Sequence, residues 1–293
     1  MPTRPMPREG GGPSATATRD GPPPGARASR LLPTATATCV LTLTTSFGLF
    51  YGQKRTCVDV CRAGGWTDED DPPLAMANAT HADRVEAHCK RFWTDALPTI
   101  SFTGALAPEL YVFAVGFALT ASIGFVGLVD LHDVHATALV AKPCCSCGAP
   151  LSTALAIAFV ACVSLFLTGA LSVADHTTAH SLAAALFFIF ATIHTLYLWV
   201  PALRLAAEQT GGWRHLPPLH VAKLCVVGFG AVVFIFSVVS FALVGEVHYA
   251  RRSGPLAQWL YVSTIALAFG VHTLDAQAYA ASRAKHSPGD DAL

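Results

Sequence analysis

Leu97-Pro98-Thr99-Ile100-Ser101-Phe102-Thr103-Gly104-Ala105-Leu106-Ala107-Pro108-Glu109 decides how this chain is read. The stretch closes a long polar segment and runs directly into an apolar run, Leu110 to Leu131. Proline fixes φ and is tolerated in the first turn of a helix, and a carboxylate there meets the positive end of the helix dipole. Pro98, Gly104 and Pro108-Glu109 therefore predict a tight re-entry, in which a folded element outside the membrane docks on a membrane helix. An ordinary loop ending in an N-capped helix has the same local chemistry, so the rest of the chain decides between the two.

That remainder is apolar. Of 293 residues, 53% are hydrophobic and 13% charged, with a mean hydropathy of +0.47, against about 25% charged in an ordinary soluble domain. Besides Leu110–Leu131, four runs approach the ~20 residues needed to cross ~30 Å of hydrocarbon: Leu151–Ala174, Leu182–Leu203, Val221–Gly245 and Leu256–Leu274. A shorter, Thr-rich run, Thr36–Gly52, is the weakest of the set. A cleaved signal peptide competes there, but the preceding segment is long for one and no small-residue cleavage site follows. The expected architecture is all-α: a polytopic membrane protein with a six-helix transmembrane bundle over residues 36–280. Residues 1–35, rich in Pro, Gly, Ala, Ser, Thr and Arg, are expected to be a disordered cytosolic tail, and residues 281–293 a second cytosolic tail.

Basic residues near span ends set orientation. Arg19, Arg27 and Arg30 in the tail, Arg204, Arg214 and Lys223 near the fourth-to-fifth loop, and Arg283 and Lys285 after the last run fall on one side in a six-span chain. Lys54, Arg55, Arg62, Arg251 and Arg252 lie on the other. The expectation is that both termini are cytosolic and that a large first loop, 53–107, is luminal. Asn78-Ala79-Thr80 in that loop is an N-glycosylation sequon. Its three cysteines, Cys57, Cys61 and Cys89, fit an oxidising compartment with one bridge. Pairing of Cys89 with either Cys57 or Cys61 would tie the start of the loop to its end, and both pairings stay open. Lys+Arg and Asp+Glu balance at 19 each, so no net field argues for nucleic acid as a partner.

Several polar groups are candidates for chemistry. Asp175, His176 and His180 sit in the short turn before the fourth run, where a carboxylate and imidazoles could serve as acid and base or as metal ligands. Polar residues in the headgroup layer are the plainer reading. His194 follows His180 by fourteen residues, about 21 Å along a helix, so it lies within the bilayer facing the bundle, and the two cannot share a metal. Asp130, His132, Asp133 and His135 precede Cys144-Cys145-Ser-Cys147. The spacing is not a Cys-x-x-Cys chelate, so palmitoylation of Cys144, Cys145 and Cys147 is preferred to zinc. No cofactor or metal site is assigned. Asp275, near the end of the last run, is expected to cap against Arg283 or Lys285.

Cys89 followed by Leu97-Pro98-x-Ile100-Ser101-x-x-Gly104-x-x-x-Pro108-Glu109 resembles the Frag/DRAM/Sfk superfamily, which includes the post-GPI-attachment-to-proteins factor 2 and the damage-regulated autophagy modulators. Gln258-Trp259 and Asp275 look like the family's Glu-aromatic pair and closing Asp, and His180 with His194 looks more like the GPI factor. The chain departs from the pattern at Phe102, Gln258 and Ala276. The resemblance covers about residues 34 to 280 and implies Pro98, Gly104, Pro108, Trp259 and Asp275 as structural motif positions.

It also implies a six-span endomembrane protein of the Golgi or ER, acting in lipid remodelling of GPI anchors, with an accessory factor preferred to a catalyst and both left open. Membrane lipids, a GPI-anchor lipid and membrane-protein partners follow as its associates. The alternative is a non-enzymatic regulator of autophagy or lipid distribution at the lysosome or plasma membrane. Ser101, Glu109, Asp175, His176 and His180 form the candidate lipid-headgroup site on this reading, with Asp95, Glu246 and His248 beside them. A solute transporter has only His194 in its favour.

Overall fold

The computed structural model describes residues 27–64, 80, 83, 86, 89, 99–140, 151–248 and 254–285. Among these residues the chain is helical, with no strand. The helices are α1 (Ala28–Gly52), α2 (Cys57–Gly64), α3 (Ile100–Thr103), α4 (Glu109–Val140), α5 (Leu151–Ala170), α6 (Thr177–Gln209), α7 (Pro218–His248) and α8 (Gly254–Lys285), with a 3-10 turn at Trp213–His215. Five of them, α4 to α8, are long and apolar enough to cross a membrane. With no water to satisfy the backbone, only helices and closed barrels can do so.

The long helices run alternately up and down. α4 packs between α1 and α5, α6 packs on α5, and α8 closes the ring against α1 and α7. Large apolar side chains face outward, as on α7, where Val232, Phe234 and Ile235 are exposed. Hydrophobicity cannot distinguish the inside of such a bundle from its lipid-facing surface, so contact depends on close backbone approach. Glycines supply it here. A Cβ at Gly116 of α4 would run into the Thr42 side chain of α1, and one at Gly127 would lie 2.9 Å from Leu32 Cδ2.

α1 departs from the sequence expectation in two ways. It begins at Ala28, so residues 28–35 of the expected disordered tail are helical, with Ala28, Leu32 and Ala35 buried against the bundle. It also carries many threonines, and these are satisfied within the helix. Thr36, Thr38, Thr42 and Thr44 donate to the carbonyls of Leu32, Thr34, Thr38 and Val40 at 2.7–2.9 Å. Back-bonding of this kind hides the hydroxyl without an external partner. The third run is likewise shorter than expected. α5 ends at Ala170, and Ser172, Val173 and Ala174 are buried in the connection to α6.

Of the two pairings left open for Cys89, the structure joins it to Cys61, while Cys57 is buried beside the bridge among Phe50, Phe102 and Val173. The bridge lies in one buried cluster with Phe102 and Ala105 of the 99–109 stretch. In the sequon, Asn78 lies outside the described residues. Thr80 is exposed and donates through its N–H and hydroxyl to Asp83 at 3.0 and 2.7 Å. Those bonds hold the Asp83 carboxyl below its ordinary value.

Gly116→Val should destabilise the bundle by about 1–3 kcal/mol through overpacking against Thr42, read as a lowered melting temperature of the purified protein in nanodiscs. Gly228→Val, where a Cβ meets nothing within 4 Å, should melt close to the parent.

Candidate functional site

The 99–109 stretch forms the floor of one end of the bundle. Thr99 caps α3, its side chain accepting from the Phe102 N–H at 3.3 Å. Gly104 ends that helix under Phe113, where a Cβ would lie 2.6 Å from Phe113 Cδ2. The chain then passes Pro108 into Glu109, the buried first residue of α4. Arg55 braces this turn. Its Nη2 donates to the Ala107 carbonyl at 3.0 Å, and its Nε lies 3.8 Å from Glu109 Oε1. From the α5–α6 connection, Ser172 donates to the Ala105 carbonyl at 2.9 Å.

The third brace is an imidazole. His180, in the first turn of α6, is buried, with Nδ1 2.7 Å from the Leu171 carbonyl and Nε2 2.7 Å from Ser101 Oγ. A carbonyl only accepts, so in the neutral ring Nδ1 carries the proton and donates to Leu171. Nε2 is then the acceptor, and the Ser101 hydroxyl donates to it. The connection between α5 and α6 thus sets the tautomer, and Ser101 is held with its proton directed at a lone pair.

Ser101 also opens onto a cavity of about 90 Å³ enclosed by α1, α4, α5, α6 and α8. Its wall is apolar, formed by residues such as Phe117, Leu165, Phe187 and Val262, with Ser101 and Gln258 toward one end and His194 and His272 toward the other. On α8 the lining runs from Gln258 to His272, about 21 Å of helix. That exceeds one leaflet, half of the ~30 Å hydrocarbon layer.

The structure divides the sequence candidates. Ser101 and His180 meet, and Glu109 faces Arg55 instead of them. Asp175 and His176 are exposed, apart from the buried His180. Pro108 is exposed in the turn, and Trp259 of α8 stacks edge-on to Phe47 of α1 with ring centroids 5.6 Å apart. Asp95, Pro98, Cys144, Cys145 and Cys147 lie outside the described residues, as do the side chains of His135, Glu246 and His248.

Two groupings were not expected. Asp275 pairs with Lys223 of α7 at 2.8 Å, both partners largely buried, while the side chains of Arg283 and Lys285 lie outside the described residues. A lysine in the first turns of α7 lies level with the end of α8 because the two helices are antiparallel. His132 turns away from its neighbours in sequence. Asp130 accepts from the Ala28 N–H at 2.7 Å, whereas His132 faces His194, ring centroids 6.1 Å apart. His194 in turn lies 6.0 Å from His272, whose Nδ1 accepts from Trp199 Nε1 at 3.4 Å. Histidines on three helices thus share one region of the interior. The available signal was their position inside apolar runs, where ionisable residues face the bundle. Among the described residues, no group of three or more His, Cys, Asp or Glu is arranged to hold a metal ion.

Residues 73–278 match the family model described as Frag1/DRAM/Sfk1/Cwh43P N-terminal domain. No curated protein and no solved structure matches the chain.

Lys223→Ala strands the buried Asp275 carboxylate and should cost about 3–5 kcal/mol, while Lys223→Met with Asp275→Leu should recover most of that loss. Melting of the two variants beside the parent measures both effects.

Proposed function

The chain belongs to the Frag1/DRAM/Sfk1/Cwh43P N-terminal domain family and is a multi-pass integral membrane protein. From that premise, we propose that it remodels the lipid part of GPI anchors in the Golgi or ER. The carrying observation is the cavity: an apolar slot deeper than one leaflet, with Ser101 and the buried His180 beneath the 99–109 turn at one end. A polar pair at that end suits an ester linkage at the headgroup layer, and the narrow apolar slot beneath it takes the first few methylenes of a hydrocarbon chain. A solute pathway would need a polar lining along its length, whereas midway along this one the Thr120 hydroxyl is turned to the Gly116 carbonyl and the wall is otherwise mostly apolar.

We propose α1 as the sixth span. It packs against α4 and α8 like a bundle helix, and its hydroxyls are satisfied internally. With six spans both termini are cytosolic, and the Cys61–Cys89 bridge, the sequon and the Ser101 end of the cavity are luminal. Asn78 is then glycosylated, and Asn78→Gln should abolish any glycosidase-sensitive shift of the protein on a gel. An Asn78 chain never glycosylated in cells that modify a control sequon in the same loop would count against this orientation.

Mass spectrometry of GPI-anchor lipids, in cells lacking the protein and in a rescued line, tests the function itself. Lyso-forms or unremodelled acyl chains should accumulate without the protein and fall on rescue. An ordinary anchor profile in its absence would refute the remodelling reading.

A further inference from the structure

We propose that Ser101 and His180 are a nucleophile and general base for acyl transfer, with the cavity below Ser101 as the site of the transferred acyl chain. This rests on the remodelling reading for the identity of the lipid, though not for the chemistry of the pair.

The geometry is that of an activated hydroxyl. A serine is a weak nucleophile until a base hydrogen-bonded to it takes its proton, and that base must itself be oriented by a third group. Here His180 Nε2 lies 2.7 Å from Ser101 Oγ, and the Leu171 carbonyl, 2.7 Å from Nδ1, fixes the tautomer that leaves Nε2 able to accept. A backbone carbonyl fills the orienting role that a carboxylate fills in Ser-His-Asp enzymes. His180 is buried, whereas Ser101 is half-buried and lines the cavity. The base is shielded from water while the nucleophile is reachable from the space a lipid chain would occupy. A purely structural latch needs no cavity on the serine side.

The donor is a glycerolipid acyl ester, a class present in any membrane around the protein. Ser101 Oγ attacks the ester carbonyl carbon as its proton passes to His180 Nε2. Collapse of the tetrahedral species breaks the ester C–O bond, and the departing alcohol oxygen takes the proton from Nε2. The acyl group is then an ester of Ser101, its first methylenes lying in the cavity lined by Phe117, Leu165 and Val262. The hydroxyl of an acceptor lipid attacks the same carbonyl and gives its proton to Nε2, which returns it to Ser101 Oγ as the new ester leaves. The cycle is redox-neutral and restores the enzyme. Gln258, on the same cavity, carries an amide N–H able to meet the carbonyl oxygen as its charge develops.

The test uses the full chain in phosphatidylcholine nanodiscs and a long-chain alkyl fluorophosphonate, with the adduct mapped by peptide mass spectrometry. The adduct should lie on Ser101, disappear in Ser101→Ala, and form about a hundredfold more slowly or less in His180→Ala, the scale of lost general-base catalysis. His180→Gln separates the two roles. Its amide can still bridge Leu171 and Ser101, so a latch survives in it while a base does not, and its melting temperature in the same nanodiscs reports folding. Labelling of His180→Gln at the parent rate, an adduct that persists in Ser101→Ala, or a folded parent that does not label would each overturn the proposal.

Complementation keeps this apart from the function. If Ser101→Ala restores the anchor-lipid profile of cells lacking the protein, the dyad is overturned and remodelling stands. If those cells have an ordinary profile from the start, the remodelling reading falls, and the labelling still decides the dyad.

Discussion

The His180 ring joins the connection between α5 and α6 to the 99–109 turn through both of its nitrogens. A buried imidazole must find partners for both nitrogens, because neither water nor lipid supplies them. It finds the Leu171 carbonyl, exposed where α5 ends, and the hydroxyl of Ser101. The same end of the molecule repeats this logic. Ser172 takes the Ala105 carbonyl, and Arg55 takes that of Ala107. Non-helical backbone at this depth is tolerated only where protein groups answer its carbonyls, and the 99–109 turn is answered from three directions.

That rigidity propagates along the bundle by packing. The turn delivers Glu109 as the start of α4, and α4 is the helix against which both α1 and α5 are built. Its glycines set how near α1 approaches, and Gly169 of α5 comes close to Phe117 on its other side, where a Cβ would lie 2.8 Å from Phe117 Cβ. Small residues thus draw the helices together on the wall, while phenylalanines hold them apart around the cavity. At the far end, Lys223 with Asp275 and Ala28 with Asp130 tie α7 to α8 and α1 to α4. Each is a polar contact that fixes register in a structure whose apolar packing has little preference for one.

Much of this was legible in the sequence because the membrane imposes a length on apolar runs. α4 to α8 follow from that length, and the turn that delivers Pro108 and Glu109 to α4 follows from its residue chemistry. The misreadings have local causes. Ser172, Val173 and Ala174 look like the end of a span because they are buried, but Ser172 is held by the 99–109 turn, and Val173 and Ala174 pack in the cluster around the Cys61–Cys89 bridge. Ala28, Leu32 and Ala35 are too sparse among Arg, Pro and Thr to announce a helix face. Their burial comes from α4, beyond the reach of local composition.

The pairings were hidden for a different reason. Ser101 with His180, Lys223 with Asp275, and His132 with His194 and His272 each join separate elements, and only topology shows which ends meet.

The cavity has polar groups at both ends, and chemistry on an acyl ester fits only one of them. An ester carbonyl belongs to the interface between headgroup and hydrocarbon, so the chain attached to it points inward. Ser101 lies beside the turn that closes the bundle, where such a carbonyl would stop. His194 is fourteen residues along α6 from His180, about 21 Å deeper, where a chain entering from Ser101 presents only its methyl end. The histidines there touch one another and Trp199. Polar contacts between helices inside a bilayer contribute modestly to stability and fix relative rotation. The far end of the cavity thus belongs to assembly of the bundle, and the reactivity proposed toward an ester is confined to the end where Ser101 and His180 meet.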